Sequence, residues 1–193
     1  MSEVVKEIGV SKNYLELKRA IDAGKRFSLH EGSSGSSKTF SIIQGAIELL
    51  LKEKATWTTF RHDSSTCNDS VIADFKRIMQ EHFELWDDKL WNGTNKEYKF
   101  PNGSIFQFRG ANSPGKLHGP RRQYAHLNEV MEISYDAYVQ IAARTAIMLV
   151  LDWNPSLNHH WVFDKVMKRD DVAYCHSTYK DNPFLPAPAR AEI

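Results

Sequence analysis

Nine residues near the start of the chain combine the properties that phosphate binding requires. The segment from Glu31 to Thr39 reads EGSSGSSKT, and it lies between an extended run, 26–30, and apolar residues at helical spacing. A strand, a loop of small residues and Lys-Thr at a helix start form the arrangement of a phosphate-binding P-loop. Small residues let backbone N–H groups approach a polyphosphate closely, and the helix N-terminus adds the positive end of its dipole.

Two side chains of this segment have specific roles in the predicted P-loop. Lys38 would reach the β- and γ-phosphates of ATP, and Thr39 would offer its hydroxyl oxygen to Mg²⁺, a cation that prefers oxygen ligands. The nucleotide-binding residues predicted in the loop are Gly32, Ser33, Ser34, Gly35, Ser36, Ser37, Lys38 and Thr39.

The loop departs from the usual pattern G-x-x-x-x-G-K-[ST] because Ser37 precedes the lysine where glycine is usual. The alternative is a flexible Ser/Gly linker that contains a lysine by chance. A linker, however, requires neither a strand before it nor a helix after it, and both are predicted here. We therefore favour the P-loop interpretation.

Polar residues follow two further predicted strands. Asn128-Glu129 follows the short β-forming run 124–127, and Asn154 comes shortly after the apolar run 146–151. Parallel strands bring their carboxyl ends to one edge of a sheet, so these residues should lie near the P-loop. There Glu129 could orient and polarise an attacking water, and Asn154 could sense the γ-phosphate. We expect the Glu129 strand beside the P-loop strand and the Asn154 strand next to it; the alternative for Glu129 is a surface carboxylate.

The predicted site lacks an arginine within the P-loop. The chain's one Arg-Arg pair, Arg121-Arg122, ends a loop rich in Gly and Pro directly before the Glu129 strand. We expect Arg121 or Arg122, ahead of Arg109, to complete the site, because phosphoryl transfer benefits strongly from such a cation. Alternatively, these arginines contact DNA phosphates or lie in solvent.

Two other groups are weaker candidates. Arg61, His62 and Asp63 end the β-forming run 55–60 and should emerge at the P-loop edge, unless they form a solvated loop. Tyr14, on a predicted leading helix that stops at 23–24, either touches adenine or simply packs.

The elements that must position these residues alternate between strands and helices. Helical spacing is found in the N-terminal segment, after the P-loop to about Lys54, at 67–83 and at about 158–168. Strand patterns lie between them, 172–177 is a last strand, and 97–109 with Asn102-Gly103 in its turn predicts a hairpin. The fold class is therefore α/β, a mostly parallel central sheet flanked by helices with a β-hairpin insert. We predict a helical segment at 1–25, a nucleotide-binding domain at 26–180 and a linker at 181–193.

Composition limits the remaining possibilities. The 193 residues include 25 Lys+Arg and 24 Asp+Glu, a formal charge of +1, so any DNA contact must come from a local patch. The two cysteines have no metal-ligand spacing, and neither a signal peptide nor a long apolar run is evident. These features lead us to expect a cytoplasmic protein with no metal beyond nucleotide-bound Mg²⁺.

Several segments taken in order resemble the ATPase domain of the tailed-bacteriophage terminase large subunit, the DNA-packaging motor. The resemblance covers about residues 26–186, and the Asn-Pro step followed by His-Trp is its least expected part. It rests on the P-loop GSSGSSKT, Arg61 followed by NDSV at 68–71, the turn NGS at 102–104, the stretch 110–117, LNE at 127–129, DWNP at 152–155 with HW at 160–161, and YKDNPF at 179–184.

This resemblance implies a P-loop ATPase of the additional-strand, conserved-glutamate type. Glu129 would be the catalytic acid, and Asn154 would lie in the motif that couples hydrolysis to movement of double-stranded DNA. The implied partners are DNA, a terminase small subunit and the portal protein of the procapsid, with a homo-oligomeric ring as the assembled form in the host cytoplasm. A nuclease domain usually follows in such proteins, and we expect no nuclease activity from this chain.

The chain departs from the family pattern at two places. Ser34 and Ser37 stand where Arg and Gly are common, and Asn128 replaces the aspartate that usually precedes the glutamate. We expect Asn128 to accept a hydrogen bond from a Mg²⁺-bound water. Two other functions remain open: a helicase or recombination ATPase, for which the chain has no room for a second domain, and a nucleotide-binding adaptor that does not hydrolyse ATP.

Overall fold

The computed structural model describes residues 9–112, 120–156 and 159–191. Its centre is a sheet of eight strands in the order β3-β4-β5-β2-β6-β7-β1-β8. The strands are β1 (Phe27–Gly32), β2 (Thr56–Arg61), β3 (Trp91–Asn92), β4 (Glu97–Lys99), β5 (Ile105–Gly110), β6 (Arg122–Leu127), β7 (Thr145–Trp153) and β8 (Val172–Ser177). The α-helices are α1 (Lys12–Asp22), α2 (Lys38–Lys52), α3 (Ala73–Arg77), α4 (Tyr135–Ala142) and α5 (Ala187–Ala191).

The six strands from β5 to β8 in that order pair in parallel, and β3 and β4 extend the sheet antiparallel at its edge. This confirms the α/β class, the mostly parallel sheet and the hairpin insert. Gly103 in the hairpin turn has φ +85°, which explains why glycine is needed there.

The expected order of the strands is wrong in one respect. The neighbours of β1 are β7 and β8, so the strand that ends near Asn154 lies beside the P-loop strand, and β6 is one strand further away. The strand β7 is thus the additional strand between the P-loop strand and the strand that ends at Glu129. Alternating apolar residues could not predict this order, because they specify which face of a strand is buried and not which strand lies next to it.

Helices cover both faces of the sheet. On one face α1, α2 and the segment 65–82 enclose a core with buried Leu17, Ile47 and Phe75. On the other face α4 and the π-helical turn Val162–Val166 pack on buried Leu149 and Leu151. Since Met148 and Val150 belong to the first core, β7 is buried on both faces, as its continuous apolar run indicates.

Three segments differ from the sequence-based expectation. The segment α4 was not predicted as a helix; Ser134 caps it by accepting a hydrogen bond from the Ala137 N–H. In place of a helix at about 158–168, the described residues show the single turn Val162–Val166, while 157–158 lie outside the described part. Most of the loop before β6, 113–119, also lies outside it. The segment 65–82 is helical as predicted but includes two π-helical turns, Asn68–Ile72 and Ile78–His82.

Within the described residues, no helix is both long and apolar enough to cross a membrane.

Candidate functional site

The P-loop connects the end of β1 to the start of α2, which begins at Lys38. Two residues of the loop have left-handed backbones, Gly35 at φ +76° and Ser37 at φ +63°. Ser37 therefore occupies, with a strained backbone, the position where glycine is usual before the lysine. This explains how the loop keeps its shape without that glycine.

Lys38 lies inside the loop and is 6% exposed. Its Nζ donates hydrogen bonds to the carbonyl oxygen of Gly32 at 2.7 Å and to Oδ1 of Asn154 at 2.9 Å. Burial lowers the pKa of the Lys38 ammonium, and the carboxylates of Asp152 and Glu129 oppose that shift. The loop thus holds the ammonium group of Lys38 near the ends of both β1 and β7.

Glu129 follows β6 and also has a left-handed backbone, with φ +52°. Its Oε1 accepts a hydrogen bond from Nδ2 of Asn154 at 3.4 Å, so Asn154 bridges Lys38 and Glu129. Burial, and then the charge of Asp152, raise the pKa of the Glu129 carboxyl group, while Lys38 opposes the rise. A carboxylate with a raised pKa is a stronger base than an ordinary one.

Asp152, near the end of β7, is the polar centre of the site and is 0% exposed. Its carboxylate accepts hydrogen bonds from Thr39 Oγ1 at 3.3 Å, from Asn128 Nδ2 at 2.9 and 3.0 Å, from the Glu129 N–H at 2.8 Å and from His126 Nε2 at 3.0 Å. These donors hold the pKa of Asp152 at about 2, against the effect of burial. Asp152 is therefore an ionised carboxylate directly beneath the start of α2.

Asn128 does not have the orientation that its predicted metal role requires. Its Oδ1 accepts a hydrogen bond from Arg61 Nη1 at 2.9 Å, and its Nδ2 donates to Asp152 and to Thr39. Arginine can only donate and a carboxylate can only accept, so both partners fix this orientation of the amide. An NH₂ group cannot coordinate a cation or accept from its water, and we correct the metal assignment of Asn128 accordingly. The metal role of Thr39 stays a prediction.

The P-loop opens into a cavity of about 580 Å³. Besides the loop, Gly9, Phe40, Glu129 and Asn154, the cavity is lined by two groups of residues that the sequence analysis did not assign to a site. They are Asp74, Arg77, Glu81 and His82 of the helical segment after β2, and Asn182, Phe184, Leu185 and Pro186 after β8.

The segment after β8 is attached to the P-loop and does not begin as a free linker at 181. Nδ2 of Asn182, which is 8% exposed, donates a hydrogen bond to the carbonyl of Gly35 at 2.8 Å. The ring of Phe184 lies against Gly9, whose own carbonyl accepts a hydrogen bond from Gln44. One wall of the cavity therefore comes from chain segments far apart in sequence.

Tyr14 does not contact this cavity. Its hydroxyl donates a hydrogen bond to Glu48, and its ring lies in a separate groove between α1 and α2. The adenine role is therefore not supported, and the packing alternative describes the structure. Arg61 does reach the site edge through its hydrogen bond to Asn128, whereas exposed His62 and half-buried Asp63 contact each other.

The candidate arginines fall into different environments. Arg122 starts β6, at the sheet edge opposite the P-loop, and is 7% exposed with its guanidinium over the Phe60 ring. It can reach neither the cavity of its own chain nor, being buried, a neighbouring subunit, and we correct its assignment. Arg121 is exposed. Arg109 contacts the hairpin through the backbone of Asn95 and through Glu97.

Among the described residues, no group of three or more His, Cys, Asp or Glu side chains could hold a metal ion by itself. The side-chain oxygens near the P-loop suit a metal ion whose ligands are mostly phosphate oxygens, with one hydroxyl oxygen from the protein. Thr39 provides that hydroxyl, and Asp152 provides nearby negative charge.

Comparison with known proteins gives concordant matches. The family model described as phage terminase large subunit matches residues 24–193. The PBSX phage terminase large subunit of Bacillus subtilis (strain 168) is 26% identical, over 80% of this chain and 42% of its own length. This chain thus spans less than half of that curated relative.

Solved structures show the same fold. The large terminase of a thermophilic bacteriophage, solved in complex with ADP, has a TM-score of 0.75 at 16% identity, and the match covers 95% of this chain and 49% of that one. The bacteriophage Phi-29 viral genome packaging motor assembly has a TM-score of 0.62 at 10% identity, covering 91% of this chain and 61% of its own.

Proposed function

The chain belongs to the phage terminase large subunit family, and we propose that it hydrolyses ATP to move double-stranded DNA into a procapsid. One observation carries the proposal: Lys38 of the P-loop and Glu129 are joined by hydrogen bonds to the same side chain, Asn154. A phosphate-binding cation and a base therefore face one position.

The proposed mechanism assigns a task to each of these residues. Lys38 and the N–H groups at the start of α2 bind and orient the β- and γ-phosphates. Glu129 takes the proton of the attacking water, for which its raised pKa is suited. Asn154 fixes the side chains of Lys38 and Glu129 relative to each other through its two hydrogen bonds, and it can respond to loss of the γ-phosphate. Mg²⁺, when bound with the nucleotide at Thr39, neutralises charge that develops on the phosphate oxygens.

Related proteins support the choice of nucleotide and task. The large terminase of the thermophilic bacteriophage was solved with ADP, and another of its structures with ATP-gamma-S. The Phi-29 relative is described as a genome packaging motor assembly. We accordingly propose DNA, a small terminase subunit and a portal protein as partners, the host cytoplasm as the location, and a ring as the active assembly.

The experiment measures Mg²⁺-dependent ATP turnover and nucleotide affinity for matched variants. Lys38→Ala should lose at least about tenfold in affinity because the phosphates lose their counter-charge in the loop. Glu129→Gln should bind ATP within about threefold of wild type but hydrolyse it at least about 100-fold more slowly, because an amide cannot act as a base.

Lys52→Ala and Glu16→Gln are the controls, since exposed Lys52 and half-buried Glu16 both lie on helix surfaces in local ion pairs. If Lys38→Ala binds nucleotide as wild type does, the segment is a linker and the proposal fails. A wild-type protein that binds ATP without turnover, even when assembled on DNA, would identify the nucleotide-binding adaptor instead.

A further inference from the structure

The site contains a carboxylate in an unexpected place. The glutamate at 129 is preceded by Asn128, so β6 brings no aspartate to the start of α2. The neighbouring strand β7 brings Asp152 there, and its carboxylate meets both Asn128 and Thr39. We infer that Asp152 is a positioning residue, which orients the Thr39 hydroxyl group for Mg²⁺ in place of an acid at position 128. This inference rests on the proposed nucleotide site.

The hydrogen bonds of the Thr39 hydroxyl group support this inference. A hydroxyl has one hydrogen and two lone pairs. The hydrogen points to Asp152 Oδ2 at 3.3 Å, and one lone pair accepts from Asn128 Nδ2 at 3.0 Å. The second lone pair remains for a cation beside the phosphate-binding Lys38. Without an acceptor at Asp152, the hydroxyl could turn its hydrogen toward the cation.

The negative charge of Asp152 is the second observation that supports the inference. Asp152 is completely buried, so it acts on a cation through Thr39 and through space rather than as a ligand. Its negative charge is less screened by water than that of a surface carboxylate would be. The surrounding donors, including Asn128 and His126 Nε2, fix its two oxygens in one orientation. A carboxylate that served only as the hydrogen-bond acceptor of His126 would not need to contact Thr39.

The strand order explains how an acid on β7 can take the place of an acid on β6. Asp152 pairs in register with His30 of β1, the strand that leads into the P-loop. On its other side, β7 pairs with β6, where Leu127 lies opposite Leu151. A carboxylate near the end of β7 is therefore close to both the P-loop helix and Asn128, and an acid on either strand can reach Thr39.

The test compares the affinity of a non-hydrolysable ATP analogue in excess Mg²⁺ with its affinity in EDTA. The ratio of the two measures the coupling between metal and nucleotide. Asp152→Asn should lower this ratio by about tenfold or more, with the affinity in EDTA changed by less than about threefold. The exchange Asn128→Asp/Asp152→Asn, which moves the carboxylate to β6, should restore the ratio. Asp164→Asn, an exposed carboxylate in a local ion pair, is the control.

Each outcome decides the inference. A wild-type ratio in Asp152→Asn overturns it while leaving the proposed function intact, because the wild-type protein still binds Mg²⁺-nucleotide. Failure of the wild-type protein to bind the analogue overturns both. Asp152→Asn replaces an accepting oxygen by an NH₂ group among donors, which could destabilise the fold. In the double exchange a carboxylate at position 128 can accept from that NH₂ group, so the double exchange is measured independently. A folded double exchange whose ratio stays low also overturns the inference.

Discussion

Lys38 and Asn154, 116 positions apart in the chain, are joined by a hydrogen bond of 2.9 Å from Nζ to Oδ1. The same Asn154 donates from Nδ2 to Glu129. One amide therefore links the group proposed to bind phosphate with the group proposed to activate water. Amide geometry suits this task, because one end accepts and the other donates.

Substitution of Asn154 should separate turnover from binding. Asn154→Ala removes both hydrogen bonds, so we expect kcat to fall roughly 10- to 100-fold with nucleotide affinity changed by less than about threefold. Asn154→Asp places a carboxylate beside Lys38 that competes with phosphate, so it should weaken nucleotide affinity as well. Steady-state kinetics and equilibrium binding measure the two effects. Equal losses of affinity in both variants would contradict the linking role.

The protein should be more stable with glycine in place of Ser37. A non-glycine residue in the left-handed region costs about 1 kcal/mol, and Ser37→Gly removes that cost at φ +63°. We expect the Tm to rise by about 2–4 °C. Ser34→Gly in the same loop is the matched control, because both variants add the same freedom to the unfolded chain but only Ser37→Gly relieves a positive φ; Ser34→Gly should lower the Tm slightly. If both variants lose stability, the strain at Ser37 is not significant.

His30 should make the protein sensitive to mild acid. Its ring is fully buried between Ser28 and Asn13, and burial lowers its pKa from 6.5 to about 4. Between these values the unfolded chain binds a proton that the folded chain does not, so stability falls as pH decreases from 6.5 to 4. The loss should reach on the order of 2–3 kcal/mol.

Chemical denaturation across this pH range measures the effect. His30→Gln should flatten the dependence, whereas His176→Gln, at an exposed position on β8, should leave it unchanged. A slope that persists in His30→Gln would assign the acid sensitivity to another group.

Arg121 is the arginine that we still expect to complete the site of a neighbouring subunit. Arg121→Ala should hydrolyse ATP slowly when assembled, and mixing it with Lys38→Ala subunits, which retain Arg121, should restore turnover. Arg122→Ala should instead lower the Tm, because its guanidinium packs on Phe60 in the interior. An Arg121→Ala protein that is fully active alone would contradict the assignment.

The sequence by itself determined the features that depend on local patterns. The P-loop, the helix that follows it and the hairpin turn with Gly103 are each specified by neighbouring residues, and the observed β8 matches its predicted bounds. Glu129 and Asn154 were placed at one edge because parallel strands bring their carboxyl ends together. The sequence also contains an indication of the role of Asp152, because an acid at the end of a strand buried on both faces needs hydrogen-bond partners.

Only the tertiary structure decided which strands are neighbours and therefore which side chains meet. Asp152 contacts Thr39 because β7 lies beside β1. The same strand order gives the Asn128 amide an acceptor, Asp152, on β7 and a donor, Arg61, on β2. The burial of Arg122 and the attachment of Asn182 to Gly35 likewise depend on segments distant in sequence. Hydrophobic periodicity specifies faces, whereas contacts across strands depend on their order and register.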